Sequence, residues 1–129
     1  MKRGVNIIIT NNQGKILILR RSPKEKFFPG LWDLPGGKVE NGETLGEAAE
    51  RETKEESGLA ISLEQKYFYI FHCQDRELNI YGFKARSTFG DISLSNEHSD
   101  FKWIFKDEYK SFEYTPSVKT TIEEFFFKK

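Results

Sequence analysis

The segment from Thr44 to Gly58 constrains this chain more than any other. Thr44 is a residue type that caps helices, Glu47 follows it at capping-box spacing, and Gly58 supplies a residue that can stop a helix. The spacing therefore predicts a helix over Thr44–Ser57. At about 100° per residue, Leu45, Ala48 and Ala49 share one face, and two turns on that face carries Glu52, Glu55 and Glu56. Glu47, Glu50 and Lys54 fall opposite, with Glu50 and Lys54 at i,i+4 spacing. Three neighbouring carboxylates partly withdrawn from water repel one another and tend to protonate unless a cation sits among them. Positions i, i+3 and i+4 converge on one point, and oxygen-only ligands suit Mg²⁺ or Mn²⁺. The same pattern fits a short helix whose second half leaves the core and is simply solvated, so the helix alone leaves both readings open.

Just before it runs Leu34-Pro-Gly-Gly-Lys-Val-Glu-Asn-Gly-Glu43. Gly36 and Gly37 permit close backbone approach, where peptide groups can meet a phosphate or ligate a metal. Elsewhere, Val5–Thr10 and Lys15–Arg20 flank an Asn-Asn-Gln-Gly turn and read as a hairpin. Arg21 to Gly37 holds three prolines and three glycines and reads as loop. Ile61, Tyr67–Cys73, Leu78–Ala85 and Phe101–Phe105 read as strands, with a turn at Gln74–Arg76. Pro116 opens a last helix on which Val118, Ile122, Phe125 and Phe126 recur at helical spacing, and Phe125–Phe127 reads as core packing. The order of strands, helix, strands and helix predicts a mixed α/β (α+β) domain with helices on the faces of its sheet.

Composition narrows the classes of function. The 129 residues suit one domain over residues 1–129, and 12 Phe, 5 Tyr and 2 Trp supply bulky core material. Twenty basic residues balance twenty acidic ones, whereas wrapping a nucleic acid polymer or lying on an anionic membrane calls for a net basic face. The longest apolar stretches are too short to span a bilayer, and no secretory leader follows Met1. Cys73 stands alone and reads as a small buried residue in a reducing, cytoplasmic setting. The neutral total hides a separation: residues 1–26 hold seven bases against Glu25, and residues 40–56 hold seven glutamates against Arg51 and Lys54. Such an arrangement suits an anion held through divalent cations.

From Gly37 there are five residues to Glu43, seven more to Arg51, then Glu52-Thr-Lys-Glu-Glu-Ser-Gly-Leu59. This resembles the Nudix box of the MutT-like pyrophosphohydrolases, with Thr53 in place of the usual first aliphatic residue. Gly14–Arg20, Gly30–Pro35 and Asn96–Trp103 also resemble the family's flanking segments, so the likeness spans most of the chain. It implies a mixed β-sheet sandwiched between helices and a divalent-metal-dependent hydrolase, with Mg²⁺ or Mn²⁺ as cofactor. The substrate implied is a small molecule, a nucleoside diphosphate linked to another moiety.

The resemblance also implies roles. Glu55 and Glu56 would ligate metal, Glu52 would ligate metal or accept a proton from water, and the Gly37 carbonyl would help coordinate. Arg51 would orient the glutamates, with Glu43 structural. Glu97, with Asp100 behind it, is the candidate for a further ligand or base, and His98 is taken as structural. Arg20, Arg21 and Lys38 are candidates for phosphates, and Phe28 and Trp32, with Phe27, for a nucleobase. The sequence lacks the proline typical of ADP-ribose hydrolases beyond the box and the tyrosine typical of dinucleotide polyphosphate hydrolases. It matches the coenzyme A signature only in part. By elimination the expectation is a MutT-type (d)NTP pyrophosphatase releasing a nucleoside monophosphate and pyrophosphate. A nucleotide sugar, a dinucleotide, a coenzyme A derivative, or a sensor that binds without cleaving are the alternatives. The chain is expected to be a monomer or homodimer.

Overall fold

The computed structural model describes residues 1–128. The elements run β1 (Lys2–Thr10), β2 (Ile16–Arg21), β3 (Trp32–Asp33), β4 (Gly36–Lys38), α1 (Leu45–Ser57), β5 (Ala60–Leu63), β6 (Tyr69–Cys73), β7 (Leu78–Phe89), β8 (His98–Ile104) and α2 (Pro116–Phe127). Short 3₁₀ turns occupy Gln74–Arg76 and Lys106–Ser111. One mixed sheet results, with α1 on one face and α2 on the other. Among the described residues no helix is long and apolar enough to cross a membrane.

The expected hairpin is not a regular one. β1 and β2 pair only at Thr10↔Ile16, beside the turn, and then part. β1 instead pairs in parallel with β7 along its whole length, from Lys2↔Leu78 to Thr10↔Arg86. β2 pairs with β8 on one side and with β3 on the other. Between the separated ends of β1 and β2, β4 lies antiparallel to Gly4–Asn6. A wedge therefore opens in the sheet, and the glycine pair sits in it.

Period-2 alternation sorts the core into two layers. Val5, Ile7, Ile9, Leu17 and Leu19 point toward α1, with Phe83, Ala85 and Leu59. Ile8, Ile16 and Ile18 point toward α2 and meet Trp32, Leu34, Ile104, Tyr109, Tyr114, Val118 and Ile122. Gly82 lets α2 come close, since a Cβ there would stand 3.0 Å from Thr121 Cγ2. Phe125 and Phe126 pack against this second layer, but Phe127 is about half exposed, so the triple phenylalanine is only partly core. Cys73 is half-buried and free.

Helix α1 has the ends its sequence specifies. The Glu47 N–H donates to Thr44 Oγ1 at 3.1 Å, and the Thr44 N–H donates back to Glu47 Oε1 at 2.8 Å. Gly58 is left-handed at φ 78°, and its N–H reaches the Lys54 carbonyl at 3.0 Å. The Lys54 amine turns to the Gly58 carbonyl at 3.4 Å, toward the negative end of the helix.

Candidate active site

The buried stripe of α1 is Ala48, Ala49, Thr53, Glu56 and Ser57, so the face turns polar without leaving the core. Both hydroxyls are satisfied one turn back: Thr53 donates to the Ala49 carbonyl and Ser57 to the Thr53 carbonyl, each at 2.7 Å. That leaves Glu56 as an ionisable group inside a packed surface. It is 6% exposed, and the Gly36 N–H donates to its Oε1 at 3.0 Å. Burial is the main force on it and pushes its pKa up from an ordinary 4.5 to about 9, helped by the charges of Asp33, Glu52 and Glu97.

Glu52 lies one turn earlier, half-buried. Its pKa is raised mainly by burial, against the pull of Arg51, with Glu55 and Glu97 adding repulsion. Its carboxylate rests against Gly37: a Cβ on that residue would come within 2.6 Å of the carboxyl carbon. A Cβ on Gly36 would meet the Val5 carbonyl oxygen, a backbone atom that cannot step aside. The two glycines therefore serve different purposes, Gly36 closing the sheet and Gly37 admitting Glu52. Glu55 and Glu97 are both exposed, and the charge of Glu97 is the smallest of the influences that raise the pKa of Glu52 and Glu56.

Arg51 ties this arrangement together. It grips Glu43 with two nitrogens, at 2.6 and 2.9 Å, and donates to Glu52 at 2.8 Å, Glu55 at 3.2 Å and the Lys38 carbonyl at 3.0 Å. Glu40 lies 3.2 Å from the same guanidinium. One cation thus fastens the loop after β4 to the helix. It holds the Glu43 pKa down at about 2, while the surrounding carboxylates raise its own.

Among the described residues, no three acidic, histidine or cysteine side chains already close on a common point in ligating geometry. Arg51 draws Glu52 and Glu55 to one side while Gly36 holds Glu56 on the other. The donor set nevertheless fits a hard divalent cation. It is all oxygen, it comes from glutamates on one helix face, and a cation there would favour the ionised form of Glu56 that burial disfavours.

Over residues 1–125 the chain matches the NUDIX domain. It belongs to the Nudix family. An 8-oxo-dGTP diphosphatase of Buchnera aphidicola subsp. Schizaphis graminum is 34% identical over 118 residues, covering 92% of this chain and 86% of that protein. A nucleoside triphosphatase NudI of Salmonella arizonae is 28% identical over 126 residues, covering 88% and 89%. The crystal structure of a MutT protein from Methanosarcina mazei superposes with a TM-score of 0.79 at 29% identity, over 96% of this chain and 91% of that one. The chain is accordingly a Nudix hydrolase, and hydrolases of this family generally need a divalent metal.

The remaining candidates fall in different places. Phe28 is exposed in the 22–31 loop, in the left-handed region at φ 51°, beside the exposed Phe27. Trp32 does not join them. It is 8% exposed and meets Phe112 edge-on at 5.2 Å in the α2 layer, so neither face is free to stack on a base. Arg20 is exposed and donates to the Gly30 carbonyl at 3.1 Å. Arg21 is engaged internally by Asp33 at 3.1 Å, Glu25 at 3.2 Å and the Phe27 carbonyl at 2.9 Å. Lys38 is exposed and lines a polar hollow with Lys2, Arg3 and Glu40. Asp33, which no pattern in the sequence singles out, is near enough to Glu56 for its charge to help raise that pKa. Its other neighbour, His98, is 65 residues away along the chain, so no local pattern announces the pairing.

Proposed function

We propose that this chain is a Mg²⁺- or Mn²⁺-dependent pyrophosphohydrolase of nucleoside triphosphates, releasing a nucleoside monophosphate and pyrophosphate. The observation that carries the reading is Glu56, a carboxylate buried between the glycine pair and the helix and flanked by Glu52 and Glu97. A fold gains nothing from burying such a group uncompensated, and a cation there offsets the repulsion. The carboxylates of Glu52, Glu55, Glu56 and Glu97 and the Gly37 carbonyl would hold the metal. A bound divalent ion supplies charge neutralisation on the pyrophosphate and acidifies water.

The chain's own residues have separate tasks. Glu52 or Glu97 takes the proton from the attacking water, and Arg51 keeps Glu52 and Glu55 from turning away. Lys38 and Arg20 meet phosphate oxygens at the rim, and Phe28 offers a ring to the nucleobase. The names of the two curated relatives, one a diphosphatase of 8-oxo-dGTP and the other a nucleoside triphosphatase, support the triphosphate over other Nudix substrates.

Purified protein assayed against ribo- and deoxynucleoside triphosphates, oxidised 8-oxo-dGTP, dinucleotides, nucleotide sugars and coenzyme A tests this. The expected result is release of pyrophosphate from triphosphates, with activity lost in chelator and restored by Mg²⁺. Preferred cleavage of a dinucleotide, a sugar nucleotide or coenzyme A would move the substrate class. Tight nucleotide binding in a calorimeter without turnover of any compound would replace the enzyme by a sensor.

A further inference from the structure

Glu97 presents a mechanical problem. Its carboxylate is exposed and has no hydrogen-bond donor among the described residues, so nothing on the side chain itself fixes its place. A group that is to ligate a metal or take a proton needs the chain that carries it held in position. Something other than its own side chain must hold Glu97 at the rim.

The backbone supplies one restraint, since the Ser22 N–H donates to the Glu97 carbonyl at 2.9 Å. The neighbouring residue supplies another. The His98 side chain is 1% exposed, and its Nε2 stands 3.5 Å from Asp33 Oδ2. Its Nδ1 has no partner, so Asp33 is the one polar group the ring addresses among the described residues. Asp33 is itself held by Arg21 Nη1 at 3.1 Å and by the Leu34 N–H at 3.1 Å. Between Arg20 and Arg21 the pairing of β2 with β8 slips: Arg20 faces Asp100, and Arg21 faces His98. Ser99 is the extra residue of a bulge, a device that re-aims the chain next to a site.

We propose that Arg21, Asp33 and His98 form a clamp that fixes the chain at Glu97 and so positions it for the metal- or proton-binding role proposed above. None of the three touches the reacting atoms; they are positioning residues. Arg21 also bonds Glu25 and the Phe27 carbonyl, so the same clamp ties the loop bearing Phe27 and Phe28 to the carboxylate mouth. The kinetic part of this inference rests on the proposed hydrolysis; the structural part does not.

Two measurements separate them. Hydrogen exchange at the Ser22 amide, which Glu97 protects, should accelerate about tenfold or more in Asp33→Asn and in His98→Leu. Amides of α2 report any general loss of stability and should not follow. His98→Gln, which keeps a donor, should recover much of the protection. Exchange at Ser22 that is unchanged, or that rises only in step with α2, overturns the clamp. In turnover assays His98→Leu, which leaves the charge of Asp33 beside Glu56 in place, should lower kcat about tenfold with KM for the nucleotide little altered. In a Glu97→Gln background it should lower kcat no further, because the residue it positions is already disabled. Effects that multiply in the double variant would show that His98 does not act through Glu97 and overturn the kinetic role. A wild-type protein that hydrolyses nothing would refute the proposed function while leaving the exchange result to decide the clamp.

Discussion

On the α2 face of the sheet, Ile8, Ile16, Ile18, Ile104, Val118 and Ile122 meet Trp32, Tyr109 and Tyr114, and polar atoms are satisfied close by. The Tyr114 hydroxyl donates to the Tyr109 carbonyl at 2.8 Å, and the two rings stack at 5.0 Å. On the α1 face the aliphatic layer is interrupted. Beneath that helix lie Thr53, Ser57 and Glu56, each nine-tenths buried or more, with a glycine pair beside them instead of side chains. One face closes the fold by removing apolar area from water. The other gives up part of that gain to keep a carboxylate inside and several more at its mouth, and Arg51 is the cation that makes the concentration tolerable. If the proposed function holds, substitutions on the α2 face should register as stability, and those at the α1 carboxylates as chemistry.

Glu56→Gln breaks the comparison most directly. It removes the capacity to ionise toward a metal while preserving shape and an acceptor for the Gly36 N–H. Turnover should fall at least about a hundredfold, near 2.7 kcal/mol on the barrier, while circular dichroism and cooperative unfolding remain. Turnover within a few-fold of wild type would remove Glu56 from the chemistry.

The next effect concerns pH. The unfolded chain releases the Glu56 proton near 4.5, whereas burial retains it up to about 9 in the folded protein. Between those values the folded state binds more protons, so this group's contribution to the stability of metal-free protein declines as pH rises. A metal held by Glu56 as proposed would have to displace the same proton. Apparent Mg²⁺ affinity, read by titration calorimetry, should therefore strengthen by up to about tenfold per pH unit from pH 6 toward 9. Glu56→Gln should flatten both slopes; an unaltered slope in that variant would place the titration elsewhere.

The smallest effect sharpens the other side. Ile122 is fully buried under the sheet, far from any candidate ligand. Ile122→Val should cost about 0.5–1.5 kcal/mol in denaturant unfolding, with turnover per folded molecule unchanged. A large loss of turnover at unchanged stability would mean that the α2 face takes part in the chemistry.

Much of the candidate site is legible in the sequence. The box spacing brought Gly36 and Gly37 into view alongside Glu52 and Glu56, and they meet because β4 and α1 are joined by a short loop that Arg51 and Glu43 fasten. Helix ends were legible because caps are local chemistry. Trp32 is only a candidate stacking ring in the sequence, because its residue type is equally at home in a core, and its burial against Phe112 decides for the core. The hairpin was overextended because β1 finds a longer partner in β7, nearly seventy residues further on.

The sequence by itself determined the helix with its capped ends, the face on which the glutamates fall, the alternation that feeds two apolar layers, and the family. These depend on interactions within a few residues and on periodicities set by backbone geometry. Only the tertiary structure decided how deeply each glutamate is buried, which makes Glu56 the perturbed group while Glu55 remains in water. It alone decided that Arg21 turns inward to Asp33 and that His98 reaches the same carboxylate. Burial and long-range pairing are properties of the packed chain, where the sheet brings distant strands side by side, and no stretch of residues carries them alone.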